Sequence, residues 1–295
     1  IWKPMHLQPV FAGYDFITLC ENGESVAEDI FNRGVCLPSD IKMTEEQQRK
    51  VIEIVRQFCK EEAYSGICVS TAGMVDTKKG EIIYSSALIP NYTGTKIMEK
   101  AFGIPCEVEN DVNCAGLAEY ISGAGRGMNP MLMLTIGTGI GGCLMLNGQV
   151  FHGFGNSAGE FGYMHMRGSD FQTLGSAGSL TKRVAYRKQE PEEVWNGHYI
   201  FEQAKQGDKI CIEAIDEMAD ILGLGIANIC YVASPQAVVL GGGVMAQKEY
   251  LKEKIQRSVG QYLLEDMAKR TEIAFAKHKN DAGMLGAFYH FIHCR

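Results

Sequence analysis

The sequence lacks the features that define membrane, secreted and nucleic-acid-binding proteins. No apolar run approaches the roughly 18 residues that a membrane span needs, and no apolar stretch of a secretory leader follows the first residues. Basic residues are in deficit, since 28 Lys and Arg face 35 Asp and Glu, which gives a net charge of −7. The sequence therefore predicts a cytoplasmic protein that binds neither membranes nor nucleic acids.

Cysteine is present, but its spacing points to no structural role. The ten cysteines are scattered, and none forms a Cys-x-x-Cys pair or a cluster with the spacing of zinc ligands. In a cytosolic chain of this length, such residues usually stay reduced and behave as small apolar side chains. We therefore expect free thiols and no metal held by protein side chains.

Proline-rich linkers and low-complexity segments are also missing, so composition marks no domain boundary. A length of 295 residues favours two domains of roughly 150 residues each, with one large domain as the alternative. Short apolar runs and helical periodicity follow each other in mixed order, which favours an α/β fold with mixed sheets. The predicted strands are 66–70, 81–85, 105–108, 131–136, 143–146, 149–151 and 237–240, and the predicted helices include 44–62, 94–102, one from Asp111 and one at 281–293.

The most specific segment is Thr135-Ile-Gly-Thr-Gly-Ile-Gly-Gly142, which lies between two predicted strands. Glycine occupies positions 137, 139, 141 and 142. Glycine lets the backbone come close to a ligand and permits positive φ, and successive N–H groups in such a turn form an anion-binding concavity. Thr138 adds a hydroxyl donor. The segment therefore predicts a site for phosphate groups, and Asn147-Gly148 behind it predicts a type I′ turn.

Two other interpretations of the glycine segment are open. It can be a tight hairpin turn without a ligand. The spacing Gly137-x-Gly139-x-x-Gly142 also matches the dinucleotide-binding fingerprint, which must follow a strand and begin a helix. Because a second strand follows here, the dehydrogenase interpretation is disfavoured.

Glu109-Asn110-Asp111 lies between a predicted strand and a predicted helix. Asp111 can simply cap the helix. Alternatively, a carboxylate at the end of a strand can accept the proton of an attacking hydroxyl group, as a general base does. Asn110 could then hold another hydroxyl of the same substrate.

Two further glycine-containing segments carry candidate binding residues. Glu160 lies in the loop Gly155-Asn-Ser-Ala-Gly-Glu160-Phe-Gly-Tyr163, where its carboxylate either is solvated or accepts hydrogen bonds from two neighbouring sugar hydroxyls. Leu240-Gly241-Gly242-Gly243 ends a predicted buried strand. It is either a turn that starts a helix or a place where a flat ring approaches the backbone.

In chain order, these four segments resemble those of the ROK family of bacterial sugar kinases and related repressors. The resemblance covers roughly residues 64–292 and is most like the β-glucoside kinase branch. The motifs that carry it are Glu109-Asn110-Asp111 with Asn113, the hairpin at 137–142, Ala158-Gly159-Glu160-Phe161-Gly162, Leu240-Gly241-Gly242-Gly243 and the closing segment 277–291.

The resemblance implies an actin-like (ribonuclease-H-like) fold of two lobes with a cleft between them. We expect one lobe at 1–110, joined by the last helix at 281–295, and the other at 111–280. The implied activity is ATP-dependent phosphorylation of a hexose or β-glucoside hydroxyl, with Mg²⁺ bridging the phosphates. The family also implies a homodimer.

The resemblance assigns a role to each matching residue. Asp111 would be the catalytic base. The sugar would be held by Gly73, Asn110, Glu160 and Tyr163. The ATP phosphates would lie along Gly137, Thr138, Gly139, Gly141 and Gly142, and the adenosine near Gly241, Gly242 and Gly243.

The sequence departs from the family pattern at three places. The family's Asp-x-Gly-Gly-Thr phosphate loop is expected near the start, where Pro9-Val-Phe-Ala-Gly-Tyr-Asp15-Phe16 stands instead. This departure leaves a second hypothesis open, a non-catalytic sugar-binding or sensor protein. Tyr163 stands where many members carry a His, and residues 164–180 contain no Cys, so we expect no zinc. A changed sugar preference follows from the same tyrosine.

A repressor is disfavoured as a third hypothesis. Repressors of the family carry an added helix-turn-helix segment before the kinase-like part, for which the sequence has no room. The negative net charge also argues against binding to DNA.

Overall fold

The computed structural model describes residues 65–84, 99–100 and 102–294, together with residues 46, 50, 53, 54 and 57. Those five residues are helical and lie within the helix predicted at 44–62. The segment at residues 9–16, where the family's phosphate loop is expected, lies outside the described residues.

Two strand pairs come first among the described elements. β1 (Ile67–Thr71) pairs in parallel with β4 (Cys106–Asn110), with Thr71 opposite Asn110. β2 (Met74–Asp76) and β3 (Glu81–Tyr84) form an antiparallel hairpin. Because parallel strands end at the same edge, the turn after β1 lies beside the end of β4.

A five-stranded mixed sheet forms the centre of the described fold. Its order is β11 (Glu272–Phe275), β10 (Ala237–Gly241), β5 (Met131–Ile136), β6 (Ile140–Leu146) and β7 (Gln149–Val150). β10 is parallel to β5 and β11, whereas β6 is antiparallel to β5 and β7. The α/β class with mixed sheets is therefore confirmed.

Helices cover both faces of this sheet. On β5, Leu132, Leu134 and Ile136 belong to one hydrophobic cluster, and Met131 and Met133 belong to another, as the two-residue repeat of a strand requires. A strand covered on both faces is continuously apolar rather than alternating. The described helices are α1 (Asp111–Ser122), α2 (Phe171–Gly175), α3 (Ala177–Lys188), α4 (Gly197–Lys205), α5 (Lys209–Ala233), α6 (Lys248–Tyr262), α7 (Glu265–Arg270) and α8 (Ala282–His293).

The turn after β5 is shorter than the sequence predicted. β6 begins at Ile140 rather than at residue 143, and Thr135 pairs with Gly141 in the strand ladder. Only residues 137–139 therefore connect the two strands. The type I′ turn is confirmed, since Asn147 and Gly148 have φ of 52° and 83°.

Several elements carry no strong sequence pattern and were not predicted individually. They are the hairpin of β8 (His165–Met166) with β9 (Ser169–Asp170), strand β11, and the helices α2, α3 and α4. None of the helices within the described ranges combines the length and the apolarity that crossing a bilayer requires.

The last helix ties the two strand systems together. α8 packs along α1 and also contacts β1 and β4. A Cβ at Gly286 of α8 would overlap the backbone carbonyl of Cys114 in α1, so the two helices touch backbone to backbone. The predicted division into lobes at 1–110 and 111–280 stays a prediction.

We predict that Gly286→Ala lowers the free energy of unfolding by about 3 kcal/mol, because the new methyl group meets backbone that cannot rotate away. Gly260→Ala in α6 is the matched control, since its Cβ would meet nothing within 4 Å. The control should stabilise slightly, as alanine favours helices by up to about 1 kcal/mol. Urea unfolding measures the free energy of unfolding of both variants. An equal change in the two variants would refute the close contact between α8 and α1.

Candidate active site

A cavity of about 500 Å³ collects residues from every segment singled out in the sequence. It lies where the turn after β1, the β4–α1 junction, the β5–β6 hairpin and the loop around Glu160 meet. The sequence-predicted site residues that line it are Gly73, Asn110, Asp111, Gly137, Thr138, Gly139, Gly141, Gly142, Glu160, Tyr163 and Gly242. Gly241 and Gly243 lie outside its lining.

Asn110 caps helix α1 and fixes the turn after β1. Its Oδ1 accepts hydrogen bonds from the backbone N–H groups of Val112 at 2.8 Å and Asn113 at 3.0 Å. Its Nδ2 donates to the carbonyl oxygen of Gly73 at 2.9 Å. The capping interpretation of Asp111 is therefore wrong, because its neighbour performs that task.

Asp111 is the first residue of α1, and its side chain faces the cavity. Its Oδ1 accepts a hydrogen bond from the N–H of Val112 at 3.0 Å. The surrounding protein displaces water from the carboxylate, and this desolvation raises the pKa of Asp111 above that of an ordinary Asp. A carboxylate with a raised pKa is a stronger proton acceptor.

Glu160 places a second carboxylate on the same cavity. Partial burial raises its pKa, and the negative charge of Asp111 raises it further. The two carboxylates are therefore close enough to interact. Between them the cavity offers two acceptors for the hydroxyl groups of a polar ligand.

The loop that carries Glu160 packs directly against strand β6. A Cβ at Gly142 would lie 2.7 Å from the carbonyl oxygen of Gly159, and it would overlap the ring of Phe161. Gly159 itself has φ of 95°, and a Cβ there would lie 2.5 Å from the carbonyl oxygen of Gly142. Both positions therefore require glycine, because backbone meets backbone.

Three of the hairpin glycines, Gly139, Gly141 and Gly142, make room for neighbouring atoms rather than for unusual dihedral angles. None of the four glycines at 137, 139, 141 and 142 adopts the positive φ that glycine permits. A Cβ at Gly141 would lie 2.5 Å from Cγ2 of Val112 in α1, and one at Gly139 would lie 2.7 Å from Oε1 of Gln172. Glycine thus lets α1 and Gln172 approach the hairpin.

Gly137 begins a turn that lines the cavity. A Cβ at Gly137 would meet nothing within 4 Å, so the space in front of it is open. The turn is held from behind, since Gly137 N–H donates to the carbonyl of Gly139 at 2.9 Å and Ala177 N–H donates to the carbonyl of Gly137 at 2.8 Å. Two backbone hydrogen bonds therefore hold the turn, and the space in front of Gly137 is open.

Gly242 brings the end of β10 against the end of β5. Its φ is 91°, and a Cβ would lie 2.6 Å from the backbone nitrogen of Ile136. Gly242 therefore lines the cavity beside the hairpin, while Gly241 ends the strand and Gly243 starts a short 3₁₀ helix.

The sequence profile of the ROK family matches residues 33–293. This chain belongs to the ROK family. A protein of Clostridium perfringens without an assigned function is 47% identical over 94% of this chain and 97% of its own length. The beta-glucoside kinase of Listeria monocytogenes is 34% identical over 77% of this chain and 79% of its own length.

A solved structure confirms the fold that the ROK resemblance implied. The ROK hexokinase of Thermus thermophilus superposes with a TM-score of 0.72 and 26% identity, over 88% of this chain and 91% of that chain. The chain therefore has the actin-like, two-lobed fold of the ROK sugar kinases. The dinucleotide interpretation of the glycine segment is wrong, because the fold is that of a ROK kinase and strand β6, rather than a helix, follows the segment.

Sequence reasoning missed several residues of the ROK cavity. Gln172 of α2 reaches the hairpin, and Ala72 together with Met74 and Tyr84 of the β2–β3 hairpin also lines the cavity. Nothing near Gln172 in the sequence marks it, because only the packing of α2 brings it to the hairpin. Tyr84 is 51% exposed and Tyr163 is 52% exposed, so both aromatic rings face open space.

Behind the cavity, Glu109 forms a buried network that the sequence did not single out. Its Oε1 accepts hydrogen bonds from the N–H of Asn110 at 2.7 Å and from Nδ2 of Asn113 at 3.0 Å. Nε2 of His152 lies 2.7 Å from its other oxygen, Oε2. Burial opposes ionisation, but these hydrogen bonds and the imidazole outweigh it, so the pKa of Glu109 is lowered.

One group among the described residues has side chains placed to hold a metal. The ligand atoms of Glu107, His290 and Cys294 lie within 4.8 Å of one another. None of the three lines the cavity. The expectation that the protein's side chains hold no zinc stays a prediction.

We predict that Asn110→Ala lowers the free energy of unfolding by about 2 kcal/mol, since α1 loses its cap and the turn at Gly73 loses its donor. Asn196→Ala is the matched control, because Asn196 caps α4 through Tyr199 N–H at 2.9 Å without a second link. The control should cost about 1 kcal/mol. Equal losses in urea unfolding would show that the Gly73 bond contributes nothing.

Proposed function

We propose that this ROK protein is an ATP-dependent sugar kinase that phosphorylates a hydroxyl group of a hexose or β-glucoside, with Asp111 as general base. The observation that carries the proposal is the convergence of Asp111, Glu160 and the glycine hairpin on one cavity. A carboxylate for proton transfer, an acceptor for sugar hydroxyls and a phosphate-sized concavity are the parts that the reaction needs.

Asp111 is suited to the role of base by its place and by its environment. As the first residue of α1 it is held by a capped helix end, and its carboxylate faces the cavity. Its raised pKa makes it a better acceptor for the proton of a sugar hydroxyl while it is still ionised near neutral pH. In the proposed reaction the hydroxyl oxygen forms a bond to the γ-phosphorus, the bond from that phosphorus to the β,γ-bridging oxygen breaks, ADP leaves and the hydroxyl proton passes to Asp111.

The sugar would lie between Glu160, Asn110, Gly73 and Tyr163. Glu160 would accept hydrogen bonds from sugar hydroxyls. Asn110 has a smaller share than the sequence suggested, because its Oδ1 already accepts two hydrogen bonds and one hydrogen of Nδ2 is donated to Gly73. Its second Nδ2 hydrogen is the group left for a sugar oxygen.

The nucleotide would lie along the hairpin, with its phosphates at Gly137, Thr138, Gly139, Gly141 and Gly142. The open space before Gly137 supports this placement, and Gly242 would meet the adenosine side. ATP supplies the transferred phosphoryl group, and Mg²⁺ would offset the charge on it. The turn is already held by its own hydrogen bonds, so it would meet this group without rearrangement.

The named relative and the exposed tyrosines support the substrate class. The Listeria relative is a beta-glucoside kinase, and we propose a hexose or β-glucoside here. Tyr84 and Tyr163 line the cavity with exposed rings, which suit contact with the apolar face of a sugar. We further propose a cytoplasmic homodimer, as in the family.

A sugar-binding protein without catalysis is the second candidate. The observation in its favour is the unusual segment at residues 9–16, which replaces the family's phosphate loop. Such a protein would bind sugar at Glu160 and leave ATP unused. Calorimetry with sugars, beside a coupled kinase assay, separates the two candidates, because this one gives affinity without turnover.

We predict that Asp111→Asn lowers kcat of sugar phosphorylation by about a thousandfold, because the proton acceptor is lost while the shape is kept. Asp266→Asn is the matched control, since Asp266 is an exposed residue of α7 outside the cavity. The control should keep its activity. A coupled assay across hexoses and β-glucosides measures the activity of both variants. If Asp111→Asn were as active as Asp266→Asn, Asp111 would not be the general base.

We also predict that kcat/KM falls as the pH drops through the raised pKa of Asp111, because protonation removes the base. The acid limb should lie above the ordinary aspartate pKa of about 3.9. A pH–rate profile of the wild-type protein locates it. The residual activity of Asp111→Asn should lack this limb, and its persistence there would assign it to another group.

A further inference from the structure

Glu109 is a charged side chain with no exposure to solvent, and it does not line the cavity. A buried carboxylate is costly unless its oxygens are paired. Its partners are therefore informative. Oε1 binds the start of α1 through Asn110 and Asn113, whereas Oε2 lies 2.7 Å from Nε2 of His152 and 3.7 Å from Nδ1 of His290 in α8.

His152 begins the loop that carries Glu160, and the loop closes on it. The N–H of Ala158 donates to the carbonyl oxygen of His152 at 3.1 Å. Ala158 lies two residues before Glu160. The segment 152–158 is thus a closed turn, and the His152 side chain ties this turn to Glu109.

One carboxylate therefore connects two walls of the cavity. On one side it holds the helix end at which Asp111 lies, and on the other it holds the loop with Glu160. The phosphate hairpin is held by different contacts, between Gly137, Gly139 and Ala177. A substitution of Glu109 should therefore displace Asp111 and Glu160 more than it displaces the glycine hairpin.

The pKa shifts of His152 and Glu109 both favour the charged form of the pair, since that of Glu109 is lowered and that of His152 is raised. The hydrogen bond to Glu109 is the largest cause that raises the pKa of His152, against burial, which opposes it. The other charged or titratable groups that face His152 are Asp76, Lys78 and His290. Burial lowers the pKa of His290.

We propose that Glu109 and His152 are positioning residues that hold Glu160 and Asp111 at a fixed separation and thereby set the affinity for the sugar. The proposal rests on the proposed function of the same cavity. Neither residue lines the cavity. Their effect passes through the 152–158 turn and the α1 helix end.

The first test compares His152→Gln with His198→Gln. His198 is an exposed residue of α4 with Glu202 as a neighbour at 3.5 Å, so it is a matched control away from the cavity. We expect the KM for the sugar to rise about tenfold in His152→Gln, the factor that loss of one charge-assisted hydrogen bond produces. The KM for ATP should change less than twofold, and the control should match the wild type.

If His152 only stabilised the fold, His152→Gln would reduce the amount of folded protein. The KM for sugar and the KM for ATP would then change together or not at all. An unchanged sugar KM in His152→Gln, or an equal rise in the KM for ATP, overturns the proposal. If His152→Gln does not fold, Glu109→Gln replaces it, because the amide oxygen still accepts from Asn110 while the ion pair is lost. The same selective rise in sugar KM is expected.

The pH dependence of sugar KM supplies a second readout. The ion pair between His152 and Glu109 is complete where His152 is protonated, below about pH 6.5. It is lost as the pH rises through the raised pKa of His152 in the folded protein. The wild-type sugar KM should therefore rise on the alkaline side. In His152→Gln it should be high and flat across the same range, and a wild-type-like slope there contradicts the proposal.

The positioning role of Glu109 and His152 can be tested even if the protein is not a kinase. If the wild-type protein phosphorylates no sugar, the kinase assignment fails, and the comparison is made on dissociation constants from calorimetry instead. A sugar affinity that weakens about tenfold in His152→Gln alone still supports positioning. Equal affinities overturn it, and no binding of any sugar by the wild-type protein overturns both.

Discussion

The central strand β5 is hydrogen-bonded on both edges, in parallel to β10 and antiparallel to β6, and helices cover both of its faces. Its register sets Thr135 opposite Gly141 on one side and opposite Gly241 on the other. Since a one-residue slip would turn every side chain to the wrong face, burial on both faces locks this register. The hairpin after β5 and the glycine run after β10 are thereby fixed at the same edge, where the cavity opens.

Close backbone contacts carry this arrangement outward from the sheet. Gly142 and Gly159 hold the Glu160 loop against β6, and Gly286 holds α8 against α1. A contact between backbones leaves little room for adjustment, because no side chain can rotate to relieve it. The carboxylates of the cavity are thus held on segments that do not move independently, which suits a reaction that depends on positioning.

Three acidic residues within a short distance differ in electrostatic behaviour. Glu109 is fully buried yet has a lowered pKa, because hydrogen bonds and His152 stabilise its charge. Asp111 and Glu160 have raised pKa values, since desolvation dominates where few donors are present. One carboxylate therefore stays ionised as a fixed anchor, and the two in the cavity are left able to exchange protons and hydrogen bonds with a ligand.

The sequence by itself determined the α/β class, the type I′ turn at Asn147-Gly148 and the segments that line the cavity, because turn chemistry and apolar runs are local. It singled out Asp111, Glu160 and the hairpin, which meet at one cavity, but it did not show which neighbours the glycines make room for. Only the tertiary structure decided that, since Val112 and Gln172 approach Gly141 and Gly139 from distant parts of the chain. It also decided the partnership of Glu109 with His152, which are 43 residues apart. No local pattern encodes such a pair, because it exists only once parallel β1 and β4, α1 and the 152–158 turn have packed together.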